Sequence, residues 1–212
     1  MRDNINLIYE YAESVSGPVP AYLDQVERQT YLKTMAPQML SGRLQGRLLS
    51  MLSKIHRPKT VLELGTFTGY SALCLAEGLD AEGIIHTIEG NLETAFWAEQ
   101  NITASPFADC IKIHKGQAAD ILPTLPDSFD LIFMDGDKRG YPDYFHQLID
   151  RMSPGGLLLA DNILWAGRVK HKDTKDADAQ ALRLYNQILM EDERVDVVVL
   201  PLRDGLSIAR KI

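Results

Sequence analysis

Two stretches of this chain place acids where an apolar run stops. In FDLIFMDGDK, residues 129–138, the run 131–134 breaks off at Asp135, Asp137 and Lys138, and in LLLADN the run 157–160 breaks off at Asp161 and Asn162. A buried parallel strand delivers its polar residues at its carboxyl end, where open α/β sheets bind ligands. If the two runs are neighbouring strands, Asp135, Asp161 and the Asn162 carbonyl converge as three hard oxygens. That set suits Mg²⁺, with Mn²⁺ or Ca²⁺ as alternatives and coordination positions left for water or substrate. The plainer reading of any one acid is a helix cap or an Asx turn; two acids and an amide together favour the metal. Lys138 lies three residues past Asp135. A nearby dication would lower its pKa and free it to act as a general base, the alternative being a solvated or ion-paired lysine.

A third stretch reads as a small-molecule turn. The run 61–64 ends in Glu63-Leu-Gly65-Thr66-Phe-Thr-Gly69-Tyr-Ser71. Glycines between a strand and a helix let backbone approach a ligand closely, and the helix start supplies free N–H groups. The Gly-x-x-x-Gly spacing is not the Gly-x-Gly-x-x-Gly that cradles a pyrophosphate, which disfavours a nicotinamide cofactor. Glu89 closes the next run, where such folds place an acid against ribose hydroxyls. Glu63 sits on a strand expected to be buried, so its carboxylate needs loop N–H groups or a cationic ligand such as a sulfonium amino acid.

The elements that must position these residues follow from periodicity. Residues 1–57 carry apolar positions at three- and four-residue spacing, including Leu40, Leu44, Leu48, Leu52 and Ile55. They predict two or three helices broken at Pro18, Pro20 and Pro37. Within them MLSGRLQGR, residues 39–47, is either a helix cap with packing or a wall of the ligand pocket. From residue 60 short apolar runs alternate with amphipathic segments, the pattern of βα units in a parallel sheet. Strands are predicted at 61–64, 84–88, 110–113, 131–134 and 157–160, and helices at 70–78, 92–104, 118–125, 141–152 and 179–190. Runs 195–200 and 206–211 are joined by only five residues, too few for a parallel crossover, so they form an antiparallel hairpin. The charged segment 167–178 predicts a mobile loop. Trp165 is either packing or, with Tyr141, a cover for the site.

Composition narrows the function. With 212 residues, 45% of them hydrophobic, we expect a single domain, with 1–57 as a helical cap and 58–212 as the core. A net charge of −7 disfavours broad phosphate contact and so favours small-molecule partners over nucleic acid. The N-terminal residues lack a signal peptide's apolar core, and no window approaches the roughly 18 to 20 apolar residues of a membrane span, so a soluble, cytoplasmic protein is expected. Cys74 and Cys110 are read as buried packing residues.

Four motifs taken together, VLELGTFTGYS, the acid in HTIEGN, IFMDGDKRGY and LLLADNILWAG, resemble the cation-dependent O-methyltransferases of the catechol and caffeoyl-CoA type, in order and spacing over most of 35–212. The likeness implies a Rossmann-like class I methyltransferase fold: α/β, a seven-stranded mostly parallel sheet with a C-terminal antiparallel hairpin, helices on both faces and an N-terminal helical extension. It implies S-adenosylmethionine held by Glu63, Gly65, Thr66 and Ser71, with Gly69 in the same turn, Glu89 at the ribose, Ala118 near the adenine and Asp137 near the sulfonium. Asp135, Asp161 and Asn162 match the metal ligands and Lys138 the catalytic lysine. A homodimer is usual in that family. Ala166 stands where the plant caffeoyl-CoA enzymes carry a substrate-contacting Asn, which leaves open whether a CoA ester is accepted. The expected reaction is methylation of one hydroxyl of a vicinal diol such as a catechol. A hydroxylated uridine in tRNA and a non-catalytic S-adenosylmethionine-binding module stand as alternatives, with a dehydrogenase behind them.

Overall fold

The computed structural model describes residues 2–212, with side chains from residue 7 onward. Seven strands form one sheet in the order β3-β2-β1-β4-β5-β7-β6, namely β1 Thr60–Leu64, β2 Ile84–Glu89, β3 Ile111–Lys115, β4 Phe129–Met134, β5 Met152–Asp161, β6 Val195–Leu200 and β7 Leu206–Lys211. The first five run parallel. β7 lies antiparallel beside β5 and pairs with β6 as the expected hairpin. β1 and β4 are buried nearly throughout, because helices cover both faces and leave no room for alternating polarity.

On one face Leu62, Ile132, Leu158, Tyr141, Phe145 and Tyr185 form a core under α7, Tyr141–Leu148, and α8, Ala177–Glu191. On the other, Val61, Phe133 and Leu159 pack beneath α4, Tyr70–Ala76, which is buried along its whole length. A further layer explains that burial. The N-terminal helices α1, Arg2–Val15, α2, Ala21–Lys33, and α3, Arg43–His56, include one that crosses α4 directly, with Ser53 Oγ donating to the Leu75 carbonyl at 2.6 Å. Among the described residues no helix is long and apolar enough to cross a membrane.

Several expectations are corrected in detail. β5 starts at Met152 and runs through Ser-Pro-Gly-Gly, a sequence that reads as a turn, because a register shift against β4 and Gly155 at φ +80° absorb the irregularity. Pro123 shortens the predicted helix 118–125 to α6, Ala118–Ile121, followed by a 3₁₀ turn. α8 begins two residues early, since Asp176 caps it by accepting from the Asp178 and Ala179 N–H groups. The segment before α8 includes a 3₁₀ stretch, and Asp176 accepts from Trp165 Nε1 and Arg168 Nη1. Cys74 is buried, but Cys110 is only half-buried, because it precedes edge strand β3, where one flank lacks a neighbour. Tyr141 is no cover. It is fully buried in the core, behind the acids.

Candidate active site

A cavity of about 510 Å³ opens at the carboxyl ends of β1, β4 and β5. Its wall combines the turn after β1 (Gly65, Thr66, Ser71), Glu89 after β2, and the acids Asp135 and Asp161 with Lys138 and Asn162. The N-terminal layer closes it through Gln38, Met39, Leu40 and Ser41, so the 39–47 segment does supply wall. Gly65 is demanded by this geometry. It sits at φ +98°, and an added Cβ would strike the Asp135 carbonyl of the neighbouring strand end.

Glu63, two residues before Gly65, is completely buried. Its Oε2 accepts from Thr87 Oγ1, itself bonded to Thr66, while Oε1 has no partner. Burial pushes its pKa up to about 8, helped by the charges of Asp135 and Glu89 and opposed by the Ser71 and Thr87 hydroxyls. Glu63 itself does not line the cavity, and its unpaired oxygen lies behind the turn residues that do. Glu89 is used differently: Oε2 accepts from the Phe67 N–H at 2.7 Å and Oε1 from the Asn91 N–H at 2.8 Å, which fixes its orientation at the cavity wall.

At the acid end, Asp161 is buried and both its oxygens are held. Oδ1 accepts from the Asn162 N–H and Oδ2 from Gln45 Nε2, each at 2.7 Å. Asn162 adopts φ +62°, a left-handed conformation that Asn tolerates better than most residues. Asp135 Oδ1 accepts from Lys138 Nζ at 2.8 Å, and Nζ also donates to Tyr141 Oη at 2.9 Å. Burial raises the Asp135 pKa to about 6; Lys138 and Arg203 pull it down and the Asp161 charge pushes it up. Two carboxyl groups at neighbouring strand ends make a site suited to added positive charge. Among the described residues no group of three or more His, Cys, Asp or Glu side chains is placed to hold a metal ion.

The remaining predicted residues are not in the wall. Asp137 is exposed, and its Oδ1 caps the following 3₁₀ turn by accepting from the Arg139 N–H. Gly69, at φ +90°, starts α4, and Ala118 opens α6; neither lines the cavity. Conversely, sequence reading passed over Phe67, Trp97, Gln45 and Arg203. Arg203 sat in a stretch legible only as a hairpin turn, and Gln45 in the 39–47 stretch, which the sequence left open between a helix cap and pocket wall.

Residues 13–212 match the profile of the O-methyltransferase family. The chain belongs to that family. Catechol O-methyltransferase of Niastella koreensis is 33% identical over 174 residues, covering 78% of this chain and 79% of that protein. Caffeoyl-CoA O-methyltransferase 1 of Eucalyptus globulus is 35% identical over 181 residues, covering 79% and 73%. The crystal structure of SAH-bound methyltransferase PaMTH1 from Podospora anserina superposes with a TM-score of 0.91 at 30% identity, covering 99% of this chain and 96% of that one. This O-methyltransferase therefore has the methyltransferase variant of the doubly wound sheet, and its cavity lies at the carboxyl edge where such sheets bind ligands.

Proposed function

We propose that this O-methyltransferase uses S-adenosylmethionine and a divalent cation to methylate one hydroxyl of a vicinal diol on a small aromatic molecule of the catechol or caffeoyl type. The observation carrying this reading is that the glycine turn after β1, Glu89 and an acid pair at adjacent strand ends line one cavity. Glu63, with Gly65, Thr66 and Ser71 around it, suits the ammonium end of the cofactor. Glu89 suits the ribose, Gly69 shapes the turn, and Ala118, outside the cavity wall, is assigned to the adenine side. Asp137, exposed beside Lys138, stands with them as the residue near the sulfonium. S-adenosylmethionine would supply an electrophilic methyl group. Asp135, Asp161 and Asn162 would hold Mg²⁺ or a similar ion, which would supply Lewis-acid polarisation of the diol oxygens.

The chain's own residues account for the rest. Lys138, fixed by Asp135 and Tyr141, faces the acid end and takes the proton of the reacting hydroxyl. Tyr141 Oη in turn donates to the Met134 carbonyl at 2.8 Å, which anchors the lysine to the core. Trp165, held by Asp176, forms wall on the acceptor side and restricts water. Positioning of two held reactants supplies most of the advantage, and such alignment is worth roughly 7 to 11 kcal/mol. Leu7, Ile8, Tyr11 and Val15 of α1 are exposed and apolar, which supports a homodimer, testable by sedimentation.

A methyl-transfer assay on catechol tests the reading. EDTA should abolish turnover and Mg²⁺ restore it, and Asp161→Ala should lower the rate by at least about a hundredfold. An EDTA-insensitive rate would remove the metal from the mechanism.

A further inference from the structure

The cavity wall carries two cations with unlike surroundings. Lys138 is paired with Asp135. Arg203 also faces the cavity, yet among the described residues it has no carboxylate within ion-pair distance, and its guanidinium makes only one contact, Nη2 to the Gln38 carbonyl at 3.3 Å. The sheet register locates it: Leu206 pairs with Asp161, so the hairpin turn three residues earlier overhangs the carboxyl end of β5, beside the acid site.

The turn is built to hold that position. Arg203 has φ +50°, in the left-handed region. Its N–H donates to Tyr9 Oη at 2.6 Å, and Tyr9 Oη donates to the Pro201 carbonyl at 3.2 Å, so α1 clamps the turn from outside. On the other side Asp204 accepts from the Leu164 N–H through its carbonyl and from the Ala166 N–H through its side chain, joining the turn to the Trp165 loop. A guanidinium on a pinned turn, with most of its five donors uncommitted, is prepared for a planar oxyanion that it can grip through two parallel bonds.

Resting on the methyltransferase reading above, we propose that the acceptor is a vicinal diol bearing a carboxylate, and that Arg203 is the residue that selects for it. The diol oxygens would lie toward Asp135, Asp161 and Asn162. The ring would lie along Trp165 and Met39, and the carboxylate would reach the cavity mouth, where Arg203 is exposed. The competing role is that Arg203 only offsets the charge of the acid pair, in which case it affects all diols alike.

The test compares 3,4-dihydroxybenzoate with its neutral near-isostere 3,4-dihydroxybenzamide, using full-length wild type, Arg203→Met and Arg203→Lys. The ratio of kcat/KM for the acid over the amide should fall about tenfold in Arg203→Met, mainly through KM, with partial recovery in Arg203→Lys, which keeps the charge but not the fork. Calorimetric binding of the benzoate, measured alongside turnover, should weaken by a similar factor in Arg203→Met and weaken further with salt in wild type. An unchanged ratio with unchanged benzoate affinity overturns the proposal, and so does an equal loss for both acceptors. Arg203-dependent benzoate binding with no methylation of any diol would preserve Arg203 as a carboxylate site and overturn the methyl-acceptor reading instead.

Discussion

Among single residues, Glu63 gives the sharpest consequence, because burial changes both its protonation and its use. Its folded pKa of about 8 lies above the ordinary carboxyl value of 4.5, so between those values the folded protein keeps a proton that the unfolded chain releases. The stability of the ligand-free protein should therefore fall as pH rises from about 4.5 to about 8, then level. Glu63→Gln removes that slope. The variant's melting temperature should gain on wild type at pH 8 relative to pH 5, while its affinity for S-adenosylhomocysteine drops. A variant whose stability tracks wild type at both pH values would show that Glu63 does not carry the burden assigned to it. Lys138 separates two roles in the same manner. Arginine keeps the charge but cannot accept a proton, so Lys138→Arg should lose about as much kcat as Lys138→Met, on the order of 10² or more, if the lysine is a base. Retention of most activity in the arginine variant would reduce Lys138 to steering.

Between elements, the active site depends on a layer that carries none of its chemistry. Gln45 reaches from α3 to Asp161 across 116 residues of sequence, and its own Oε1 is left without a partner. No periodicity could have found this contact, since the helical pattern around Gln45 only says which face turns inward. The strand-end acids were legible for the opposite reason: an apolar run ending in a carboxylate is a local signal, and the parallel topology then dictates where it goes. The same layer is fastened by Glu77, which follows α4. Although burial disfavours its charge, donors from Arg47, Lys54, Ser50 and Tyr22 hold its pKa down at about 2. A depressed carboxyl pKa contributes stability that is present above about 4.5 and is lost as pH falls toward 2. Glu77→Ala leaves the half-buried Arg47 without its counter-ion and should cost about 3 kcal/mol near neutral pH, read by denaturant unfolding. The deficit relative to wild type should shrink as pH drops through 4; a deficit independent of pH would mean that packing, not charge, fastens α3 to α4.

For the molecule as a whole, strand direction and the hairpin were legible because connection lengths decide direction: five residues between β6 and β7 allow only an antiparallel return, while each earlier link is long enough for a crossover. How the N-terminal helices fold back was not legible, because an amphipathic stripe names no partner, and this is where the sequence left the 39–47 segment open between capping and pocket wall. The cavity joins the two layers, with Gly65, Glu89 and Asp135 on the sheet side and Gln38, Leu40 and Ser41 on the other. A ligand filling it should therefore couple them. At a hundred times its dissociation constant, S-adenosylhomocysteine should stabilise the fold by about 2.7 kcal/mol, a rise of roughly 5 to 10 °C in melting temperature for a chain of this size. Hydrogen exchange tells the location of that gain. Amides of 34–42 have no strand ladder to protect them and should slow markedly on binding, whereas α8, packed on the opposite face of the sheet, should change little. Thermal stabilisation with unchanged exchange in 34–42 would mean that the cofactor is held by the sheet edge alone and that the N-terminal layer serves only the acceptor.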